Sequence, residues 1–173
     1  MKFQTQPRYG IVARFFHWSM AALILWQFLK FFDRINDGEH WVGENLVPWH
    51  VSIGALLLVL VVLRAIWAFK QRGTIPPVNP QFAPLVTLGP LMLYAVMLVL
   101  PLTGIMIMLG NGYGLSPFGI QLVERGTEIS WMATLGSWHS PLAWLLLVLV
   151  IGHVGIALVH HFILKDNTLK RML

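Results

Sequence analysis

Residues 137–162 read SWHSPLAWLLLVLVIGHVGIALVHHF, and the fold turns on how this stretch is read. A helix needs about 20 mostly apolar residues to cross a bilayer. This run exceeds that length while carrying His139, His153, His160 and His161. Ionisable side chains inside a span are costly and need partners, so they point to function. His139 and His153 lie fourteen residues apart. At 3.6 residues per turn this is close to four turns, which puts both on one helix face about 21 Å apart. Such a spacing suits two stacked metal or haem sites.

The rest of the chain supports a membrane setting. Of 173 residues, 57% are hydrophobic and 11% charged, against about 25% charged in soluble domains. Cysteine is absent, which excludes disulfides, thiolate metal sites, iron–sulfur clusters and covalently attached haem, so any metal chemistry must use His. The start, MKFQTQPRYGIVARFFHW, lacks the short apolar core and small-residue cleavage site of a signal peptide, so the first span is expected to be retained.

Working outward from the final stretch, four spans are predicted, at about 11–32, 48–69, 85–109 and 135–164. One all-α, four-transmembrane-helix bundle occupying residues 1–173 is the economical architecture. Lys2, Arg8, Arg14, Arg64, Lys70, Arg72, Lys165, Lys170 and Arg171 fall on one side, and Lys30, Arg34 and Arg125 on the other. The positive-inside rule then places both termini in the cytoplasm. The net charge of +5 is mostly topological and does not form a nucleic-acid patch. The segment RGTIPPVNPQFAP, residues 72–84, reads as a stiff cytoplasmic connector. On the outer side, Asp33, Asp37, Glu39, Glu44, Glu124 and Glu128 make the loops mildly acidic, and a short surface helix is expected at about 120–127.

Depth decides which histidines can face one another. His50 lies about 4 Å and His17 about 21 Å below the outer boundary, a difference of about 17 Å. On the fourth span, His139 and His153 differ by about 21 Å, His139 and His160 by about 31 Å, and His153 and His160 by about 10 Å. Only the first pair matches. An inner site between His17 and His153 and an outer site between His50 and His139 follow.

Two facing imidazoles in a bundle core are the ligand set of a six-coordinate haem b. Zinc is the competing reading, but a closed zinc site wants four ligands, and no Cys or acidic residue lies at these depths. Haem propionates need cationic partners. Arg64, fourteen residues after His50, is placed on the same face near the inner site, and Arg14, three residues before His17, is a second candidate that snorkelling at the helix end explains equally well. A single His in an apolar helix can be satisfied by neighbouring backbone, but four at matched depths on three helices are not explained that way. His160 and His161 lie near the cytoplasmic boundary, where a wet imidazole needs no explanation, and His40 reads as a solvated loop residue. Trp41, Trp49, Trp131 and Trp138 form an outer aromatic belt with Trp67 near the inner boundary. Gly152 and Gly155, flanking His153, serve either a haem plane or close helix contact. Gly89, Pro90, Pro101 and Gly104 suggest a bent third helix.

RYGIVARFFHW (8–18), PWHVSIGALLLVLVVLRAIW (48–67), SWHSPLAWLLLVLVIGHVGIALVHHFILKDNTLKRM (137–172) and the Pro-rich connector resemble the bacterial cytochrome b561 family over nearly the whole chain. The resemblance implies two b haems held by bis-histidine ligation, with His17, His50, His139 and His153 as ligands. It implies electron transfer across the inner membrane, with ubiquinone as acceptor or donor at the cytoplasmic end, where His160 and Lys165 are candidates. Some members of the family oxidise superoxide at the outer face. One departure is Pro90 in TLGPLMLY (87–94), where family members often carry a His. Another is the acidic outer face, because an anionic substrate is steered by a positive mouth.

The expected function is a diheme b-type cytochrome carrying electrons between a periplasmic donor, such as a basic protein, and membrane ubiquinone in a lipid bilayer. A superoxide:ubiquinone oxidoreductase and a cytochrome b relay subunit of a larger dehydrogenase or hydrogenase are the alternatives, with a His-based metal transporter as the outsider. Nucleic acid is not an expected partner.

Overall fold

A computed structural model describes residues 8–34, 39–71, 83–165 and 169–173. Helix α1 runs Ile11–Phe28 and tightens into a 3-10 turn, Leu29–Arg34. The short α2, Trp41–Asn45, is followed by a 3-10 turn, Val47–Trp49, and by α3, His50–Lys70. Helix α4 spans Ala83–Gly110 and continues through Pro90 and Pro101. Proline is tolerated inside spanning helices because neighbouring groups re-satisfy the freed backbone. Helix α5, Ser130–Gly136, and α6, His139–Phe162, complete the set. Among the described residues, four apolar runs are long enough to span a bilayer: Ile11–Phe32, Trp41–Lys70, Leu88–Gly110 and Ser130–Phe162. The protein is an all-α membrane protein, as its composition demands.

The fourth span is therefore two helices. The chain turns at Ser137 and Trp138 and restarts at His139. Pro141 sits in the first turn of α6, where its missing N–H is one of the four that a helix leaves unpaired in any case. The break puts His139 at the head of α6.

The order of close packing is α1 on α3, α3 on α4, and α4 on both α5 and α6. The core comes from Met20 and Ile24 of α1, Ile53, Leu57 and Val61 of α3, Val96 of α4 and Leu146 of α6. Spacings of four residues on α1 and α3 give one stripe facing inward. Leu146 lies seven residues from both His139 and His153, hence on their face and midway between them. Outward residues such as Val148, Ile151 and Phe162 are 63%, 63% and 67% exposed, the apolar exterior that lipid requires. Where α4 meets α5 the backbones touch. A Cβ at Gly136 would lie 2.8 Å from the Ile107 backbone nitrogen, and one at Gly110 would lie 2.3 Å from that of Ala133.

Two expectations are corrected. Residues 120–127 form no helix. The segment doubles back over the end of α4, where Leu115 and Val123 exchange backbone hydrogen bonds of 2.9 and 3.1 Å. Gly112 and Gly114 hold the left-handed conformations this needs, φ 73° and 75°. His40 is not merely solvated. Its Nδ1 accepts from the Gly43 N–H at 3.1 Å, capping α2, and its Nε2 lies 2.9 Å from the Phe32 carbonyl oxygen. The connector expected to be stiff, residues 72–84, falls almost wholly outside the described residues.

The chain's last residues return to the start of α1. Tyr9 N–H donates to the Arg171 carbonyl at 3.1 Å and Trp18 Nε1–H to that of Met172 at 2.8 Å. Arg14 donates to the Leu173 backbone oxygen. The last residues of the chain therefore pack beside Tyr9, Arg14 and Trp18 at one end of the bundle.

Candidate haem-binding sites

The structure brings the four core histidines together in two pairs. The rings of His17 (α1) and His153 (α6) have centroids 6.1 Å apart with planes inclined by 55°. Those of His50 (α3) and His139 (α6) are 5.9 Å apart and inclined by 82°. Two imidazoles bound on opposite sides of one metal, at about 2 Å per bond, have centroids roughly 6.3 Å apart. Both separations therefore match that of a bis-histidine site. No group of three or more His, Cys, Asp or Glu able to hold a metal occurs among the described residues. Each pair can thus supply two ligands and no more. That suits a macrocycle bringing four of its own and does not suit zinc.

Space around the pairs agrees. Among the long helices, α6 packs extensively only against α4, not against α1 or α3, which carry the opposing ligands. His153 is exposed, and a Cβ added at Gly152 or Gly155 would meet nothing within 4 Å. Those glycines therefore make no close helix contact.

The pair His50 and His139, expected as the outer one, has a supporting shell that the sequence reading missed. His139 Nδ1 lies 3.0 Å from the Leu100 carbonyl oxygen and 3.3 Å from Thr103 Oγ1, while Thr103 donates to the same carbonyl at 2.7 Å. A carbonyl can only accept, so His139 Nδ1 carries the proton and Nε2 keeps the lone pair a metal takes. Gly104 makes this approach feasible, since a Cβ there would stand 3.0 Å from His139 Cε1 and 3.2 Å from Nδ1. Thr103 is buried, 7% exposed. On the other side, Gln27 Nε2–H donates to the His50 carbonyl at 3.0 Å, tying α1 to α3. Span three carries no His, so nothing in its residue types marked it as part of a ligand site. The only sequence sign was the small-residue cluster around Pro101.

Arg64 lies beside the pair His17 and His153, expected as the inner one. Arg64 Nη2 lies 3.4 Å from His17 Nδ1, its Nε–H donates to the Tyr94 hydroxyl at 3.0 Å, and Nη1 reaches Met20 Sδ at 4.0 Å. The guanidinium also stands over the Tyr94 ring at 5.4 Å. Trp18 meets His17 edge-on at 5.2 Å. Arg14 is directed to the tail at Leu173. His160 is half-buried on the last turns of α6, and Lys165 lies exposed beyond its end with φ 51°.

Comparison with known proteins places this arrangement. Residues 8–173 match the family model described as prokaryotic cytochrome b561. The chain belongs to that family. It is 34% identical to Cytochrome b561 homolog 2 of Escherichia coli K12, an alignment covering all of this chain and 95% of that protein. Identity is 27% to the Probable superoxide oxidase CybB of Yersinia pestis, over 91% of this chain and 90% of that one. It is 33% to Cytochrome b561 homolog 1 of Escherichia coli, over 72% of each. As a member of the cytochrome b561 family with four spanning helices, the protein is a multi-pass bacterial inner-membrane protein. Its activity is membrane electron transfer, and the family implies b-type haem.

Proposed function

We propose that the protein is a diheme b-type cytochrome moving single electrons across the inner membrane between a periplasmic donor and ubiquinone. The observation that carries this is the pair of imidazole couples, 6.1 and 5.9 Å between centroids, stacked along one face of α6. Bound haem would supply one-electron iron chemistry at each couple. The protein's own part is to hold and insulate. His17 with His153, and His50 with His139, fix two sites at different depths. Leu146 and the stripe of Met20, Ile24, Ile53, Leu57 and Val61 fill the layer between them. A dry apolar layer excludes water, so charge crosses as electrons and not through a chain of proton carriers. Arg64, and Arg14 at the tail, would partner propionates. His160 and Lys165 lie toward the inner end, where quinone would bind. With both termini cytoplasmic, the His17 pair is the inner one.

Haem quantification and reduced-minus-oxidised spectra of the purified protein test this. Two haems per chain are expected, falling to one when any of the four histidines is replaced by Ala. A protein without low-spin haem bands would sink the proposal.

A second reading is superoxide oxidation coupled to ubiquinone reduction, supported by the relative named Probable superoxide oxidase CybB. Against it stand the exposed Glu39, Glu44, Glu124 and Glu128 on the outer face, opposed there by Lys30 and Arg125. Rapid, salt-sensitive haem reduction by enzymatically generated superoxide would favour it over a protein donor. Copurification with a dehydrogenase or hydrogenase would favour a relay subunit instead.

A further inference from the structure

The two histidine pairs have opposite electrostatic surroundings. At the outer pair, His139 donates its Nδ1–H to the Leu100 carbonyl at 3.0 Å, with Thr103 Oγ1 at 3.3 Å. An acceptor on the non-ligating nitrogen raises the basicity of the imidazole. A more basic ligand stabilises the metal's more positive, oxidised state. At the inner pair, His17 Nδ1 faces the Arg64 guanidinium at 3.4 Å. The partners described for Arg64 are all neutral: the Tyr94 hydroxyl, the Met20 sulfur and the His17 ring. A guanidinium stays protonated in proteins. Its charge, half-buried between helices where screening is weak, therefore acts on the inner pair and opposes a positive charge there, offset only in part by a propionate paired with it.

We infer that the two pairs are electronically unequal, and that Arg64 together with the Leu100 carbonyl makes the inner pair the easier one to reduce. Reduction at each pair is the uptake of one electron, ferric to ferrous, with no bond made or broken. The inequality rests on the diheme reading above and deepens it by giving the relay a downhill direction, from the outer pair to the inner. Both effects are set from α4, whose Tyr94 holds Arg64 and whose Leu100 carbonyl holds His139. Arg64 is thus a positioning residue for charge and not a ligand.

The test is an equilibrium redox titration of the purified, haem-loaded full-length protein, followed by absorbance. His153→Ala empties the inner site, so the wave that remains is the outer one and is expected to be the lower of the two wild-type waves. His139→Ala should leave the upper wave. Arg64→Gln is expected to lower the inner wave by at least a tenfold change in the ratio of reduced to oxidised haem, about 59 mV for one electron, and to leave the outer wave in place. Arg64→Lys should restore most of that shift. The inference is overturned if His153→Ala retains the upper wave, or if Arg64→Gln leaves the inner wave unmoved or shifts both equally. Should Arg64→Gln empty the inner site, the His153→Ala arm alone decides. Fewer than two haems per wild-type chain would fail the diheme reading itself, whereas two haems ordered the other way would fail this inference alone.

Discussion

Adding one methyl group at Gly104 sets the stability of α4 against the integrity of the outer histidine pair. Ala is favoured over Gly inside a helix by about 1 kcal/mol, so Gly104→Ala should strengthen the helix taken alone. The new Cβ, however, would stand 3.0 Å from His139 Cε1 and 3.2 Å from Nδ1. Comfortable carbon contacts lie at about 3.5–4.0 Å, so the ring must retreat by about 0.5 Å. It cannot do so freely, because its Nδ1–H is bonded to the Leu100 carbonyl on the same helix. Metal–ligand distances tolerate only about 0.2 Å. Loss of such an orienting contact costs about 10–100-fold in metal affinity, which is about 1.4–2.8 kcal/mol. Gly104→Ala is therefore expected to retain the inner haem and its spectrum while the outer haem becomes substoichiometric on dilution. Haem per chain by alkaline pyridine spectra, before and after gel filtration, provides the measurement. A variant that holds two haems as tightly as the wild type would refute the reasoning.

Gly136→Ala would drive a Cβ to 2.8 Å from the Ile107 backbone nitrogen, and since backbone yields poorly it should cost about 1–3 kcal/mol, seen as a lower midpoint of thermal unfolding in detergent. His40→Ala removes the cap on α2 and the bond to Phe32; a loss of about 0.5–2 kcal/mol is expected, with haem content unchanged at two per chain, which separates this His from the four core ones. Trp18→Phe keeps the edge-on ring beside His17 but deletes the bond to the Met172 carbonyl; the loss of about 1 kcal/mol should appear as faster limited proteolysis of the last residues, and unchanged cleavage would count against a docked tail.

Depth along a helix is fixed by its rise, so the levels of His17, His50, His139 and His153 could be read from residue numbers, and the structure pairs them as those levels require. Arg64 was legible for the same reason, lying four turns below His50 on one face. The Leu100 carbonyl was not. Every residue has a carbonyl, and only the approach of His139 across Gly104 singles this one out. The break at Ser137 and Trp138 was hidden because both sides are apolar and Pro141 is as compatible with a first turn as with a kink. The stretch 120–127, which follows turn residues, was open to a helical reading, but the backbone turns at Gly112 and Gly114 pair Val123 with Leu115 instead. The docking of the tail on Tyr9 and Trp18 runs largely through backbone carbonyls, which leave no trace in residue type.

The span without a histidine carries the registration of the other three. Helix α6 offers one ligand to each pair, yet it packs extensively on α4 and not on α1 or α3, where the opposing ligands sit. The 6.1 and 5.9 Å ring separations are thus set through successive interfaces, α1 on α3, α3 on α4 and α4 on α6. Direct contact of α6 with α1 or α3 would close the space a tetrapyrrole needs. An intermediary helix avoids this, because it can fix the distance while leaving the gap open. It can also reach both pairs with groups that are not ligands: the Tyr94 hydroxyl holding the guanidinium near His17, and the Leu100 carbonyl holding His139 in the tautomer that leaves Nε2 free. These two contacts differ in sign, a cation on one side and a carbonyl oxygen on the other. A four-helix bundle with nearly equivalent histidine couples acquires its polarity in this way, from the helix that has no histidine at all.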